Sequence, residues 1–242
     1  YSKRILELMA DGALNPNFTQ AEFDKEKEKL IEGLKTQEKS VPAVAGRVEK
    51  VLVYGKNHPA GEYLSEETIN NVSLSDVKNN YATYFLPKKA YLVIIGDVKY
   101  KDTKKLVEKL FGTWVKGKAP QQTYSDPSNV QYTQINFVDM PNAVQSEIAM
   151  INLSKLKMTD KDYFAAILAN QILGGGGEGR LFLNLREKHG WTYGSYSNLG
   201  ASKYISKFSS TASVRNAVTD SAVVEIFNEL KRIRTDLVSA ED

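Results

Sequence analysis

Residues 174–193 read Gly-Gly-Gly-Gly-Glu-Gly-Arg-Leu-Phe-Leu-Asn-Leu-Arg-Glu-Lys-His-Gly-Trp-Thr-Tyr, and the reading of the whole chain turns on this stretch. Four glycines open directly into a helical pattern carrying Leu181, Phe182 and Leu185. Arg186 lies near the end of that pattern, and Tyr193 follows just past Gly190. Flexible backbone, a rigid element and two long hydrogen-bonding side chains therefore come in succession. That layout suits gripping something extended, such as a peptide.

Plainer readings of the same residues exist. Gly174-x-x-x-x-Gly179-Arg180 has the spacing of a phosphate-binding loop. Arg180, however, stands in place of its lysine, Leu181 in place of its magnesium-binding hydroxyl, and the preceding pattern is helical rather than a strand. A nucleotide site is disfavoured on those grounds. The run also suits a flexible connection between two helices. Taken singly, Arg186 is an arginine on an amphipathic helix, where the side chain is usually solvated, and Tyr193 is a tyrosine at a strand start, where the ring usually packs. The functional reading brings guanidinium donors and a phenol hydroxyl to one peptide carbonyl.

Outward from this stretch, the second half of the chain alternates strand and helix patterns. Strands are expected over 131–138 and 146–153, and a helix over 160–173 with Phe164, Leu168 and Ile172 at i, i+4, i+8. Residues 193–200 and 204–214 read as an antiparallel pair. A final helix over 219–235 turns Val223, Ile226, Phe227, Leu230 and Ile233 inward. In the first half, Thr19-x-x-Glu22 is a capping box opening a charged helix over 20–38, with Phe23, Leu30 and Leu34 on a narrow stripe. Pro42 interrupts it, a further helical stretch runs to about 54, and 56–61 is a loop holding His58. Ser73-x-x-Asp76 caps a helix to about 84, the apolar run within 89–98 reads as a central strand, and 101–111 returns to helical periodicity. Residues 116–128, with Pro120 and Pro127, form the best linker. The pattern as a whole predicts an α+β protein built from two units.

Bulk properties exclude several function classes. At 242 residues the chain can hold one large domain or two of moderate size, each with its own core. The 32 basic and 29 acidic residues are interspersed, which gives no reason to expect nucleic acid. No apolar run is long enough to span a bilayer. With no cysteine, disulfides and thiolate metal sites are excluded. The two histidines, His58 and His189, stand far apart, and no His-x-x-Glu-His pattern occurs, so this chain is not expected to hold a metal of its own. The acidic cluster Glu26, Glu28, Glu32 reads as the solvated face of a charged helix. Tyr1 falls inside a helical pattern, and Ser239-x-x-Asp242 is a helix-start signal, so both ends are expected to cut through structure.

The 173–193 stretch closely resembles the arginine/tyrosine motif of the pitrilysin (insulinase) family of zinc metallopeptidases. Tyr84-Phe-Leu-Pro-Lys-Lys-Ala-Tyr-Leu-Val-Ile-Ile-Gly-Asp-Val98 resembles the family's strand with its Pro-x-x-Ala and Gly-Asp-Val marks. Asn57-His-Pro-Ala-Gly61, Leu74-Ser-Asp-Val77 and Leu110-Phe-Gly-Thr-Trp114 follow in the family's usual order. The resemblance implies homologous α/β sandwich units with largely antiparallel sheets, the metallohydrolase fold of the mitochondrial processing peptidase type. It implies that 1–117 is the second half of one peptidase-like domain, 118–127 a linker, and 128–242 the first half of the next domain.

The family's third zinc ligand is a glutamate on the long helix, supported by another seven positions earlier. Alignment on 23–34 puts the supporting position on Glu26 and the ligand position on Gly33, which has no side chain; a one-residue slip offers Glu32 but loses the apolar register. The resemblance with this departure implies a non-catalytic, zinc-free part. In it Arg186 and Tyr193 hold a substrate backbone carbonyl and support oxyanion charge, and Gly174, Gly175, Gly176 and Gly177 form a peptide-contacting loop. Zinc is then expected in a partner domain or subunit, and the partners are a peptide substrate and that zinc-bearing unit. A similar glycine-rich loop serves the non-catalytic subunit of the mitochondrial processing peptidase. Two alternatives stay open: a zinc motif upstream of Tyr1 in an active parent, and a purely structural role like that of respiratory-complex core subunits. By the same resemblance, a periplasmic or otherwise exported bacterial protein is expected.

Overall fold

The computed structural model describes residues 1–239; the expected helix start at Ser239-x-x-Asp242 runs outside the described residues. In chain order the helices are α1 (Ser2–Leu14), α2 (Gln20–Gln37), α3 (Val41–Tyr54), α4 (Glu66–Asn71), α5 (Leu74–Tyr84) and α6 (Tyr100–Phe111). Strand β1 (Gln145–Ser154) follows, then α7 (Tyr163–Gly174) and the short α8 (Arg180–Phe182), which runs into a π-helical turn at Leu183–Lys188. Strands β2 (Thr192–Leu199) and β3 (Ser206–Arg215) and helix α9 (Thr219–Thr235) complete the order. The architecture is α+β.

Two compact units divide the chain, and they differ from the sequence segments 1–117 and 128–242. One comprises Tyr1–Leu34 and Leu64–Thr123; the other comprises Lys35–Tyr63 and Tyr124–Asp242. Helix α3 thus packs with the second unit, on β1, where its Glu49 pairs with Lys207 of β3.

In the first unit the start signals hold. Thr19 Oγ1 accepts from the Glu22 amide at 3.3 Å, and Ser73 and Asp76 form a reciprocal capping box at the start of α5. Tyr81 anchors the unit: its ring meets Phe18 and stacks on Phe85, and its hydroxyl donates to the Ala13 carbonyl at 2.5 Å.

Two expected strands do not form. Among the described residues 90–95 and 131–138 belong to no strand, and Tyr91 is 96% and Ile135 92% exposed. The reason is that a strand is stable only when a neighbour takes up its backbone N–H and C=O groups. Among the described residues neither run joins the ladder of a neighbouring strand, so apolar composition alone does not make them strands.

The sheet belongs to the second unit and runs β1-β3-β2, antiparallel throughout. The expected pair over 193–200 and 204–214 is β2 with β3, and 146–153 falls within β1. Burial alternates along β3, with Ser210, Ala212 and Val214 facing inward, as a pleated strand with one covered face requires. Helices α7, α8 and α9 cover that face. Leu173, Leu181, Leu185, Ala222 and Ile226 meet Ile148, Ala212 and Val214 in one cluster. Phe227, expected inward, is half exposed, because the buried stripe of α9 runs through Ala222, Ile226 and Glu229. Phe164 and Leu168 of α7 also face outward.

Candidate functional site

The glycine run is a packed corner. Gly174 is buried at the end of α7, where an added Cβ would lie 2.7 Å from Leu181 Cδ1 and 2.8 Å from the Ser197 backbone nitrogen. At Gly179 it would meet the Gly174 Cα at 2.7 Å. Two stretches of backbone therefore touch where α7 hands over to α8, and only hydrogen fits between them. Ser197 Oγ donates to the Asn170 carbonyl at 3.4 Å, and Asn170 Nδ2 returns a bond to the Ser197 carbonyl at 3.3 Å, tying α7 to β2. Gly175 is exposed and Gly176 half-buried. Gly177 is exposed too; a Cβ there would meet nothing nearer than Phe182 Cζ at 3.8 Å. The surface of the corner is thus open while its base is closed.

Beyond the corner, Leu181 and Leu185 are fully buried and fix one side of the helix in the core. The bonding then changes: the His189 amide donates to the Asn184 carbonyl at 3.1 Å, five residues back, which is the π pattern. Gly190 takes φ +62 and closes the turn, its amide donating to the Arg186 carbonyl at 2.9 Å. Arg186 leaves this turn half exposed. Its guanidinium carbon lies 4.8 Å from the centre of the Phe182 ring and its Nε 3.4 Å from Glu187 Oε1, so the group is guided by two neighbours while its donors reach solvent.

Tyr193 sits at the start of β2, 88% exposed. The β2–β3 register passes from Thr192↔Val214 to Ser195↔Ala212, so Tyr193 and Gly194 together oppose Ser213. That is a β-bulge, which re-aims a side chain out of the regular alternation. Thr192 closes it with its hydroxyl, donating to the Gly194 carbonyl at 2.9 Å and accepting from the Gly194 amide at 3.1 Å. Both named side chains therefore stand on local irregularities, one on either side of Gly190.

A third group was not singled out in the sequence. Asn184 is buried, and its Nδ2 donates to Glu225 Oε2 and to Glu229 Oε1, each at 2.8 Å. Glu229 is also buried, with Arg232 Nη1 3.6 Å from its Oε2. The Asn184 hydrogen bond, with smaller help from Asn228, Lys188 and His189, holds the Glu225 carboxyl below its usual range against a modest opposing effect of burial. A group whose folded pKa is depressed contributes stability at neutral pH, and that contribution is lost as pH falls through the folded value. Denaturant midpoints of wild type and Glu225→Gln measured at about pH 6 and about pH 3 are expected to differ more at the higher pH. Equal differences at both would contradict the linkage.

Among the described residues no group of three or more histidines, aspartates or glutamates could hold a metal. Gly33 lies on the exposed side of α2 with open space around it, and Glu26 is engaged by Lys29 at 2.6 Å on the solvated face. His58 accepts the Ala60 amide through Nδ1 and stacks on Tyr54. His189 stacks on Trp191 at 4.1 Å. These residues do not fit zinc. No helix is long and apolar enough to cross a membrane among the described residues.

Comparison with known proteins agrees with the fold and places the chain in a family. Residues 71–242, well over half the chain, match the family described as Peptidase M16 inactive domain, and the chain belongs to that family. A Helicobacter pylori relative described as the non-peptidase homolog YmxG is 26% identical over 204 residues, covering 84% of this chain and 46% of the relative. A Bacillus subtilis relative described as the uncharacterized zinc protease YmxG is 25% identical over 202 residues, covering 81% of this chain and 47% of its own length. A crystal structure of a peptidase M16 inactive domain from Pseudomonas fluorescens superposes with a TM-score of 0.84 at 21% identity, covering 99% of this chain and 58% of the other. The chain thus spans about half the length of the curated relatives it matches.

Proposed function

We propose that this chain is the substrate-holding, non-catalytic part of a pitrilysin-like metalloendopeptidase, presenting Arg186 and Tyr193 to the backbone of an extended peptide. The observation that carries the reading is the pair of irregularities, the π-turn and the bulge, that bring a half-exposed guanidinium and an exposed phenol out of an otherwise regular helix and strand. Buried packing alone needs neither device. Guanidinium and phenol hydroxyl both donate to a carbonyl oxygen, and neither depends on the sequence of the peptide. The exposed glycines 175 and 177 leave the rim of the corner free of side chains, so that a peptide backbone can come close.

In this reading the segments 1–117 and 128–242 belong to successive domains of a longer protein, joined through 118–127, and zinc is supplied by a partner domain or subunit. Support comes from the poor fit of this chain's own residues to a metal and from its family membership.

The test is binding of fluorescein-labelled β-casein, an unstructured polypeptide, to the intact protein, followed by fluorescence anisotropy. Arg186→Ala and Tyr193→Phe are each expected to weaken binding by about tenfold, the scale of one lost hydrogen bond from a polar or charged donor. Unchanged affinity in both variants would sink the proposal.

A further inference from the structure

The peptide reading leaves one buried polar cluster unused. Asn184, Glu225 and Glu229 lie beneath the π-turn, at a contact otherwise made of leucine and isoleucine. We infer that Asn184 is a positioning residue: clamped to Glu225 and Glu229 of α9, it holds the π-turn that sets the direction of Arg186. This inference rests on the reading of Arg186 as a peptide-binding group.

The argument begins with helical geometry. A π-turn holds one residue more than an α-turn, so reverting to α bonding would rotate everything after it by about 100°. Arg186 lies within the turn and Gly190 just beyond it. Leu181 and Leu185 bury the helix, but apolar packing is non-directional and does not by itself choose between the two bonding patterns. A directional restraint is needed.

Asn184 supplies one. The residue whose carbonyl accepts the π bond from His189 is the residue whose side chain reaches α9. Both amide hydrogens are used, each on a carboxylate oxygen, and the opposite amide orientation would turn an oxygen toward both carboxylates. The two acceptors stand one helical turn apart on α9, so together they fix the position of Asn184 along that helix and its rotation about it. Arg186 follows two residues on, its guanidinium over the Phe182 ring. A clamp on Asn184 therefore fixes where that guanidinium starts from.

A plain structural role for the cluster, tying α9 to the helix with no bearing on Arg186, is separable by experiment. In the 15N-labelled intact protein, the Arg186 Nε–H resonance reports the Phe182 ring current, and Phe182→Leu gives its value without the ring. Asn184→Leu is expected to move the resonance toward that value and to weaken fluorescein–β-casein binding by about tenfold. Glu225→Gln keeps an amide oxygen able to accept from Asn184 and is expected to leave both near wild type. If Asn184→Leu does not fold, Glu225→Leu, which removes one acceptor at a half-buried position, is read by the same criteria. An unmoved Arg186 resonance in the folded variant overturns the positioning role, whatever happens to binding. A moved resonance with wild-type casein binding in both Asn184→Leu and Arg186→Ala upholds the positioning role and removes the peptide reading.

Discussion

Replacing Leu185 with alanine is expected to destabilise the second unit by about 2–5 kcal/mol, the range for truncating a fully buried leucine where the surroundings cannot close the gap. Leu185 has no solvent exposure, and its neighbours in the cluster come from α7, α8, α9 and the sheet, so collapse into the void would require several elements to move together. The Trp191 amide also donates to the Leu185 carbonyl at 3.0 Å, which places the residue at the root of the turn that leads into β2. Leu183 is the control: two residues away but half exposed, it is expected to lose less than about 1 kcal/mol on the same truncation. Urea denaturation at unchanged m-value reads the difference directly. Similar losses at both positions would mean that the helix is not held by the face described above.

Gly174→Val is expected to cost about 1–3 kcal/mol, or more if the corner cannot open. The valine Cβ would stand 2.8 Å from the Ser197 backbone nitrogen, which is part of a paired strand and cannot turn aside, and 2.7 Å from a buried leucine methyl. Relief requires α7 to back away from β2, breaking the mutual Asn170–Ser197 hydrogen bonds. Gly177→Ala, three residues on, makes only ordinary van der Waals contact with the Phe182 ring at a position without positive φ and is expected to be neutral or slightly stabilising. Thermal unfolding of the two variants side by side provides the measurement, and a Gly177 variant as damaged as the Gly174 one would contradict the division of the run into a closed base and an open rim.

That division was only half legible in the sequence. A run of glycines announces an unusual backbone, but whether each glycine is there for internal contact or for an outside partner depends on what lies across from it, which is a tertiary fact. Helix starts are legible because capping is local: Thr19 accepts the Glu22 amide, and Ser73 and Asp76 satisfy one another, all within four residues. The β2–β3 pair was legible for a similar reason, since only a short connection separates the strands. Residues 90–95 and 131–138 have the composition of strands without being strands, because β-forming composition says nothing about whether a neighbour is present to pair with. At the candidate site, Arg186 and Tyr193 are proposed on their motif. Asn184 carries no such mark, because its partners lie 41 and 45 residues downstream on α9, a distance no local pattern spans. The π-turn and the bulge left no mark that hydrophobic spacing could register.

Between Asn184 and Ser195 the chain carries surplus length twice, once in the π-turn and once where Tyr193 and Gly194 share a single opposite residue. Side-chain direction here is therefore written in the count of residues as much as in their identity. A deletion that restored regular helix or regular strand could leave every core leucine seated and still turn the guanidinium or the phenol to a different side. Two proteins can then share this fold and this motif letter for letter and differ in what they present to the outside.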